Sequence, residues 1–164
     1  NKQHNPVKKK PKEEKPKVIK NLPPCLIVDG YNMIFSWDVF KDYKEEELAI
    51  SREKLLDILF NYQAFTAEKM IVVFDGYKVK DNLGTIYSRK DMEVVYTSSN
   101  LTADAYIERF VADHQKDYDI TVASSDGLIQ NAIFAQGAKR MSARELFGRI
   151  TFVNQEIEEQ LTHS

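Results

Sequence analysis

Three short apolar runs in this chain stop at the same residue type. Leu26–Ile27–Val28 ends at Asp29, Met70–Ile71–Val72–Val73–Phe74 ends at Asp75, and Ile120–Thr121–Val122–Ala123 is followed by Ser124–Ser125–Asp126. Asp104 and Glu108 lie four residues apart in a helical stretch, a spacing that puts both on one face. If the runs are parallel strands, the three strand-end carboxylates emerge at one edge of a sheet and the helix adds two more. Such crowding is costly: two like charges ~4 Å apart repel by about 1 kcal/mol in water and about 4 kcal/mol at an effective dielectric of 20. A hard, oxygen-seeking cation such as Mg2+ or Mn2+ relieves it. A cation held by carboxylates activates water and stabilises the charge that develops on a phosphate. Asn32, Ser124 and Ser125 are polar neighbours able to orient a water, a carboxylate or a substrate. The histidines, His4, His114 and His163, are too scattered for a zinc site, and Cys25 has no second thiol.

Each acid also has a plain structural reading. Asp126 before Gly127–Leu128–Ile129 suits a helix N-cap, Asp104 a favourable first-turn charge, and Asp29–Gly30 and Asp75–Gly76 ordinary turns. Recurrence of the same acid at matching strand ends is what favours a shared site.

The elements that must position these acids follow from periodicity. The three runs, with Val94–Val95–Tyr96 and a short Ala138–Lys139–Arg140–Met141, read as strands buried on both faces. Helices are expected from Glu46 to about Thr66, with Leu48, Leu55, Leu59 and Tyr62 in one stripe, and from Thr102 to about Lys116, with Ala103, Ile107, Phe110 and His114 inward. A shorter helix over 127–135 turns Leu128, Ala132 and Ile133 inward. Ser142–Ala143–Arg144–Glu145 has capping-box spacing, so a helix starts there, and Asn154 reads as the cap of a final amphipathic turn or two. Alternation of strand and helix predicts an α/β fold with a parallel sheet covered on both faces, whose ligand site lies outside the carboxyl ends of the strands.

Composition divides the chain in two. Residues 1–22 are rich in Lys and Pro and read as a basic linker or tail; 23–164 form the folded domain. Residues 1–20 carry a charge of +6 and the remainder −8, within a net charge of −2. No apolar run is long enough for a membrane span and no signal-peptide pattern opens the chain. One cysteine among 164 residues fits a reducing cytoplasm. The first residue is Asn, which suggests processing or excision from a longer protein.

Candidate RNA contacts are basic. Lys78, Lys80, Arg89 and Lys90 flank a long connection between the second and third strands, and Lys139, Arg140 and Arg144 cluster near the fifth. The first group also reads as a solvated loop. Arg52, beside Glu53 and Lys54, reads as a surface salt bridge. Trp37, Phe40 and Tyr43, and Tyr31 with them, suit either base stacking or the edge of the core.

Val28–Asp29–Gly30–Tyr31–Asn32 resembles the opening motif of YacP-like NYN domains, and Val73–Phe74–Asp75–Gly76–Tyr77 resembles their second acidic strand end. Val94–Val95–Tyr96–Thr97, Thr102–Ala103–Asp104 with Ile107–Glu108, Ala123–Ser124–Ser125–Asp126, and Gly137 to Leu146 complete the series in order. The resemblance covers about residues 24–148. It implies a three-layer α/β/α PIN-like, Rossmann-like sandwich with a central mainly parallel sheet, and a metal-dependent endoribonuclease whose acidic site comprises Asp29, Asp75, Asp104 and Asp126, with Glu108 as a further ligand or a carboxylate just behind the ligands. It also implies messenger RNA as substrate, association with the ribosome, and kinship with domains fused to the C-terminus of ribosomal-protection-type translational GTPases. Two other functions fit the residues alone: a non-catalytic RNA- or ribosome-docking module, and a receiver-like phosphoryl-transfer domain that gathers aspartates around Mg2+.

Overall fold

A computed structural model describes residues 21–76 and 85–163 of the chain. The basic tail assigned to the first 22 residues therefore lies outside the described residues except for Asn21 and Leu22, and Lys78 and Lys80 lie outside them entirely.

Six strands are described among these residues: β1 (Pro24–Asp29), β2 (Lys69–Phe74), β3 (Thr85–Arg89), β4 (Met92–Tyr96), β5 (Asp119–Ala123) and β6 (Lys139–Met141). They form one sheet in the order β3-β4-β2-β1-β5-β6. All neighbouring pairs are parallel except β3 with β4. The helices are α1 (Gly30–Ser36), α2 (Leu48–Thr66), α3 (Ala103–His114), α4 (Gly127–Phe134) and α5 (Ala143–Thr162).

Burial on both faces explains the unbroken apolar strands. Leu26 and Val28 of β1, with Met70, Val72 and Phe74 of β2, turn toward α1, α2 and α5, where Met33, Leu55, Leu59, Leu146 and Ile150 meet them. Cys25 and Ile27, with Ile71 and Val73, turn toward α3 and α4 and pack on Ile107, Val111, Ile129 and Ile133. The expected three-layer sandwich is the observed one.

Of the two readings offered for the aromatics after β1, the core is the observed one for Tyr31, Trp37 and Phe40, and Gly30–Ser36 is helical. Three local expectations are corrected. The connection between β2 and β4 contains β3, an antiparallel edge strand that no apolar run announced. On α4 the inward residues are Ile129 and Ile133, while Leu128 is exposed. Helix α5 runs unbroken through Asn154, which is interior and caps nothing; Ser142 at its start does form the expected capping box with Glu145.

The strand order places a switch point beside β1. From β1 the chain builds outward through β2 and β4 on one side, then returns by α3 to place β5 and β6 on the other. Carboxyl-end loops part at such a point and leave a crevice. β1 and β5 border it.

Candidate active site

Asp29 ends β1 at this crevice and is only 8% exposed. The next residue must be small: a Cβ built on Gly30 would stand 2.3 Å from the buried Phe74 ring. Helix α1 thus leaves the strand at once, in van der Waals contact with β2. Ser124, fully buried after β5, donates its hydroxyl to Asp29 Oδ2 at 2.8 Å. The Asp126 amide donates to the same Ser124 Oγ at 3.1 Å. Ser124 is itself held through its backbone, its N–H donating to the Met141 carbonyl at 2.9 Å and its carbonyl accepting from Gln130 Nε2.

The other acids gather at the same sheet edge. Asp75 follows β2, and its Oδ1 accepts the Ala103 amide of α3 at 2.7 Å. Thr102 caps that helix, so Asp104 lies in its first turn and Glu108 one turn further on. Asp126 caps α4, accepting the Leu128 amide at 2.9 Å. The capping reading of Asp126 is therefore correct in itself, and Asp75, read as a turn residue, also bonds a helix N-terminus. Each uses one oxygen of a carboxylate that has two, and capping places the carboxylate rather than consuming it.

Electrostatics bind the group into one site. Burial pushes Asp29 up to about 6; the Ser124 hydrogen bond opposes this, and the charges of Asp104, Asp75 and Asp126 add to it. Asp104 is also raised, by burial first and then by Asp126, Asp75 and Glu108. Asp29 and Asp104 thus both feel the charges of Asp75 and Asp126, and Glu108 acts on Asp104. Among the described residues, however, no three His, Cys, Asp or Glu side chains have the spacing to hold a metal ion as they stand. The acids are neighbours at one edge, not a closed coordination shell.

The polar residues form a frame behind the acids. Asn32 Oδ1 accepts the Ser125 amide at 2.8 Å, Ser125 Oγ accepts the Ala143 amide at 2.9 Å, and the Ala143 carbonyl accepts Trp37 Nε1 at 2.8 Å. This chain ties α1, the β5–α4 turn and the start of α5 together. Asn32 and Ser125 fix loop positions in this way, while Ser124 alone of the three bonds to a carboxylate. Thr97, buried after β4, accepts the Gly76 amide at 3.0 Å and holds the turn that follows Asp75; its place after an apolar run, like that of Ser124 after β5, was the available signal.

The basic residues divide. Arg144 sits in the first turn of α5, next to Ala143, and so at the acidic edge. Arg140 lies on edge strand β6 with its guanidinium 4.7 Å from the Phe134 ring centre. Arg89 and Lys90 do not join the site. Arg89 pairs with Met92, which pairs with Met70, at the amino end of the parallel strands, and its guanidinium lies 3.7 Å from the Phe60 ring centre. A strand of five or six residues, about 16 Å, separates them from the acids, because β3 runs antiparallel. Arg52 makes no surface ion pair of the expected kind: it donates to the Tyr31 hydroxyl at 3.0 Å, and its charge acts on Tyr96.

A mainly parallel α/β/α sandwich with aspartates converging outside the carboxyl ends of its strands defines a PIN-like domain. The YacP-like NYN family model matches residues 26–164, and the chain belongs to that family. It is 40% identical over 137 residues to the protein YacP of Bacillus subtilis, covering 83% of this chain and 80% of that one. Two crystal structures of Rae1 (YacP) from Bacillus subtilis are similar to it: a point mutant at a TM-score of 0.74 and 36% identity, covering 85% of this chain and 82% of that one, and a second at 0.70 and 37%, covering 85% and 80%. NYN domains are PIN-like nucleases, which places the chain among RNA nucleases at the level of family and leaves the receiver-like alternative without support. PIN-like NYN nucleases generally use divalent metal ions. No described helix is long and apolar enough to cross a membrane.

Proposed function

We propose that this chain is a metal-dependent endoribonuclease acting on messenger RNA in association with the ribosome. One observation carries the proposal: four aspartates from four separate segments meet at one sheet edge, with Asp29 buried among the charges of the other three. A buried carboxylate ringed by like charges is an unfavourable arrangement that an oxygen-seeking cation converts into a favourable one. The donor set suits Mg2+ or Mn2+, with Asp29, Asp75, Asp104 and Asp126 as the residues that would hold it and Glu108 as a further ligand.

Once bound, the cation would supply charge neutralisation at the scissile phosphate and a water of lowered pKa. The chain's own residues do the rest. Ser124 orients Asp29, the bonds of Asp75 and Asp126 to helix N-termini fix their carboxylates, and the Asn32–Ser125–Ala143 frame keeps α1, the β5–α4 turn and the start of α5 in register. Arg144 beside this edge is placed to meet RNA phosphates. Hydrolysis by water leaves 5′-phosphate ends. Work on messenger RNA would place the protein in the cytoplasm. The comparisons give no support to a fused translational GTPase, and the proposal does without one.

The test is end-mapping of RNA on translating ribosomes and on free RNA with Mn2+ or Mg2+, comparing wild type with Asp29→Asn and Asp126→Asn. Cleavage by wild type that both substitutions abolish, in chains with unchanged circular dichroism, is the expected result. Undiminished metal-dependent cleavage by both variants would overturn the assignment. The helix-capping bonds of Asp75 and Asp126 favour one second reading, a non-catalytic RNA- or ribosome-docking module. It predicts no cleavage under any of these conditions and binding that the same substitutions leave intact.

A further inference from the structure

Beside the acids a row of aromatic side chains crosses the carboxyl end of the sheet. Phe35 stacks on Tyr31 with ring centres 6.0 Å apart, Tyr31 meets Phe74 edge-on at 5.0 Å, Phe74 stacks on Tyr96 at 5.5 Å, and Tyr96 meets Tyr87 edge-on at 5.9 Å. Tyr31 and Phe74 belong to the core, but the two ends of the row do not: Phe35 is 62% exposed and Tyr87 59%. In the middle, Arg52 donates to the Tyr31 hydroxyl at 3.0 Å and its charge acts on Tyr96. A guanidinium carries five N–H donors, more than one phenol requires. Within the row, Tyr31 stands two residues from Asp29 and Phe74 directly precedes Asp75.

We infer that Phe35 and Tyr87, with Arg52 between them, form a ledge that stacks unpaired bases of single-stranded RNA and leads the strand into the acidic site. The inference rests on the nuclease reading for its substrate and on the surface for everything else. Exposed aromatic faces alternating with a fixed cation match a strand in which bases alternate with phosphates. A rigid aromatic loses little rotamer freedom on stacking. The buried Tyr31 and the partly buried Tyr96 anchor the exposed rings from behind, so the ledge is built before RNA arrives. Stacking needs the base faces to be free, so the ledge selects single strands over duplex. It adds a specificity element that the acids, which address only the phosphodiester, do not provide.

The test is equilibrium binding of a short fluorescent oligoadenylate to the full chain in EDTA, where hydrolysis does not compete. Phe35→Ala and Tyr87→Ala are each expected to weaken binding about tenfold, with Phe35→Trp and Tyr87→Phe near wild type and duplex binding unchanged. An oligomer with abasic sites is expected to bind weakly and to be indifferent to both alanine substitutions. Oligoadenylate binding that neither alanine changes, or an equal loss for the intact and abasic oligomers, overturns the ledge. So does wild-type protein that binds no oligoadenylate, or self-association abolished by the same alanines while RNA binding stays independent of the bases. Cleavage with Mn2+ and its dependence on Asp29 are read separately. Base-dependent loss without any metal-dependent cleavage would keep the ledge and sink the nuclease, and the converse pattern would do the reverse.

Discussion

The hydroxyl of Ser124 donates to Asp29 Oδ2 at 2.8 Å between residues 95 positions apart in sequence. An ionised carboxylate has no proton to give, so the hydroxyl is the donor, while its oxygen accepts the Asp126 amide. This bond favours the charged form of Asp29 and opposes the upward push of burial. Ser124→Ala should therefore raise the Asp29 pKa further above about 6. The pH–rate profile for cleavage should move to higher pH, with activity near neutrality down roughly tenfold, a typical scale for a charge-assisted hydrogen bond. An unmoved profile would show that Ser124 only fills space.

Asp29 also ties stability to pH. Its folded pKa of about 6 lies above the ordinary carboxylate value near 4. A raised folded pKa means that the protonated form is favoured by folding, so the stability this group provides is complete below about pH 4 and is lost as pH rises through about 6. In metal-free buffer Asp29→Asn, which keeps the Ser124 partner but carries no charge, should be more stable than wild type at pH 7.5 by about 2–3 kcal/mol. The gap should close near pH 4. Calorimetric Tm values at the two pH values check this, and a gap that persists at pH 4 would point to a different cause. A divalent ion that binds the wild-type site should narrow the gap at pH 7.5.

Gly30 is required by a close approach rather than by its backbone angle. A methyl group there would overlap the Phe74 ring, which is wholly buried and wedged between Tyr31 and Tyr96. Gly30→Ala should cost about 1–3 kcal/mol, the scale of overpacking, and should displace α1, which carries Asn32. Denaturant unfolding measures the first effect. Loss of cleavage larger than the loss of folded protein measures the second.

The basic residues should separate by position. Arg144→Ala, at the acidic edge, should weaken RNA binding several-fold and lower its salt dependence by about one phosphate contact. Arg89→Ala and Lys90→Ala, at the opposite end of the strands, should leave cleavage unchanged. Arg89→Ala should still cost about 0.5–1 kcal/mol of stability through its stacking on Phe60. Salt titrations of binding and thermal melts of the same variants decide it. Cleavage that falls with Arg89 and not with Arg144 would reverse the proposed path of the RNA.

The parallel strands and longer helices were readable because each has a strong local signature. An apolar run of β-branched residues bounded by turn residues has few other uses, and Ser142 with Glu145 marks a helix start by chemistry within one turn. Helix α1 and strand β3 were not readable for the opposite reason. α1 is seven residues long and begins at Gly30 with no side-chain cap, while β3 is an edge strand with Ile86 and Tyr87 both exposed, so neither shows a clean period. Leu128 was read as inward because apolar residues usually are; the helix phase set by Ile129 and Ile133 turns it out.

Sequence by itself determined that acids stand at the ends of apolar strands, since strand, turn and carboxylate are adjacent in the chain and adjacency needs no folding to establish. It determined likewise that the chain carries the ordered motifs of YacP-like NYN domains. Only the tertiary structure decided which basic and aromatic residues share the edge with those acids. Arg89 left it because β3 reverses direction, Arg52 joined Tyr31 because α2 packs against α1, and Ser124 met Asp29 because β5 inserts beside β1. Strand direction and strand order are properties of hydrogen bonding between distant segments, and no local spacing in the chain encodes them.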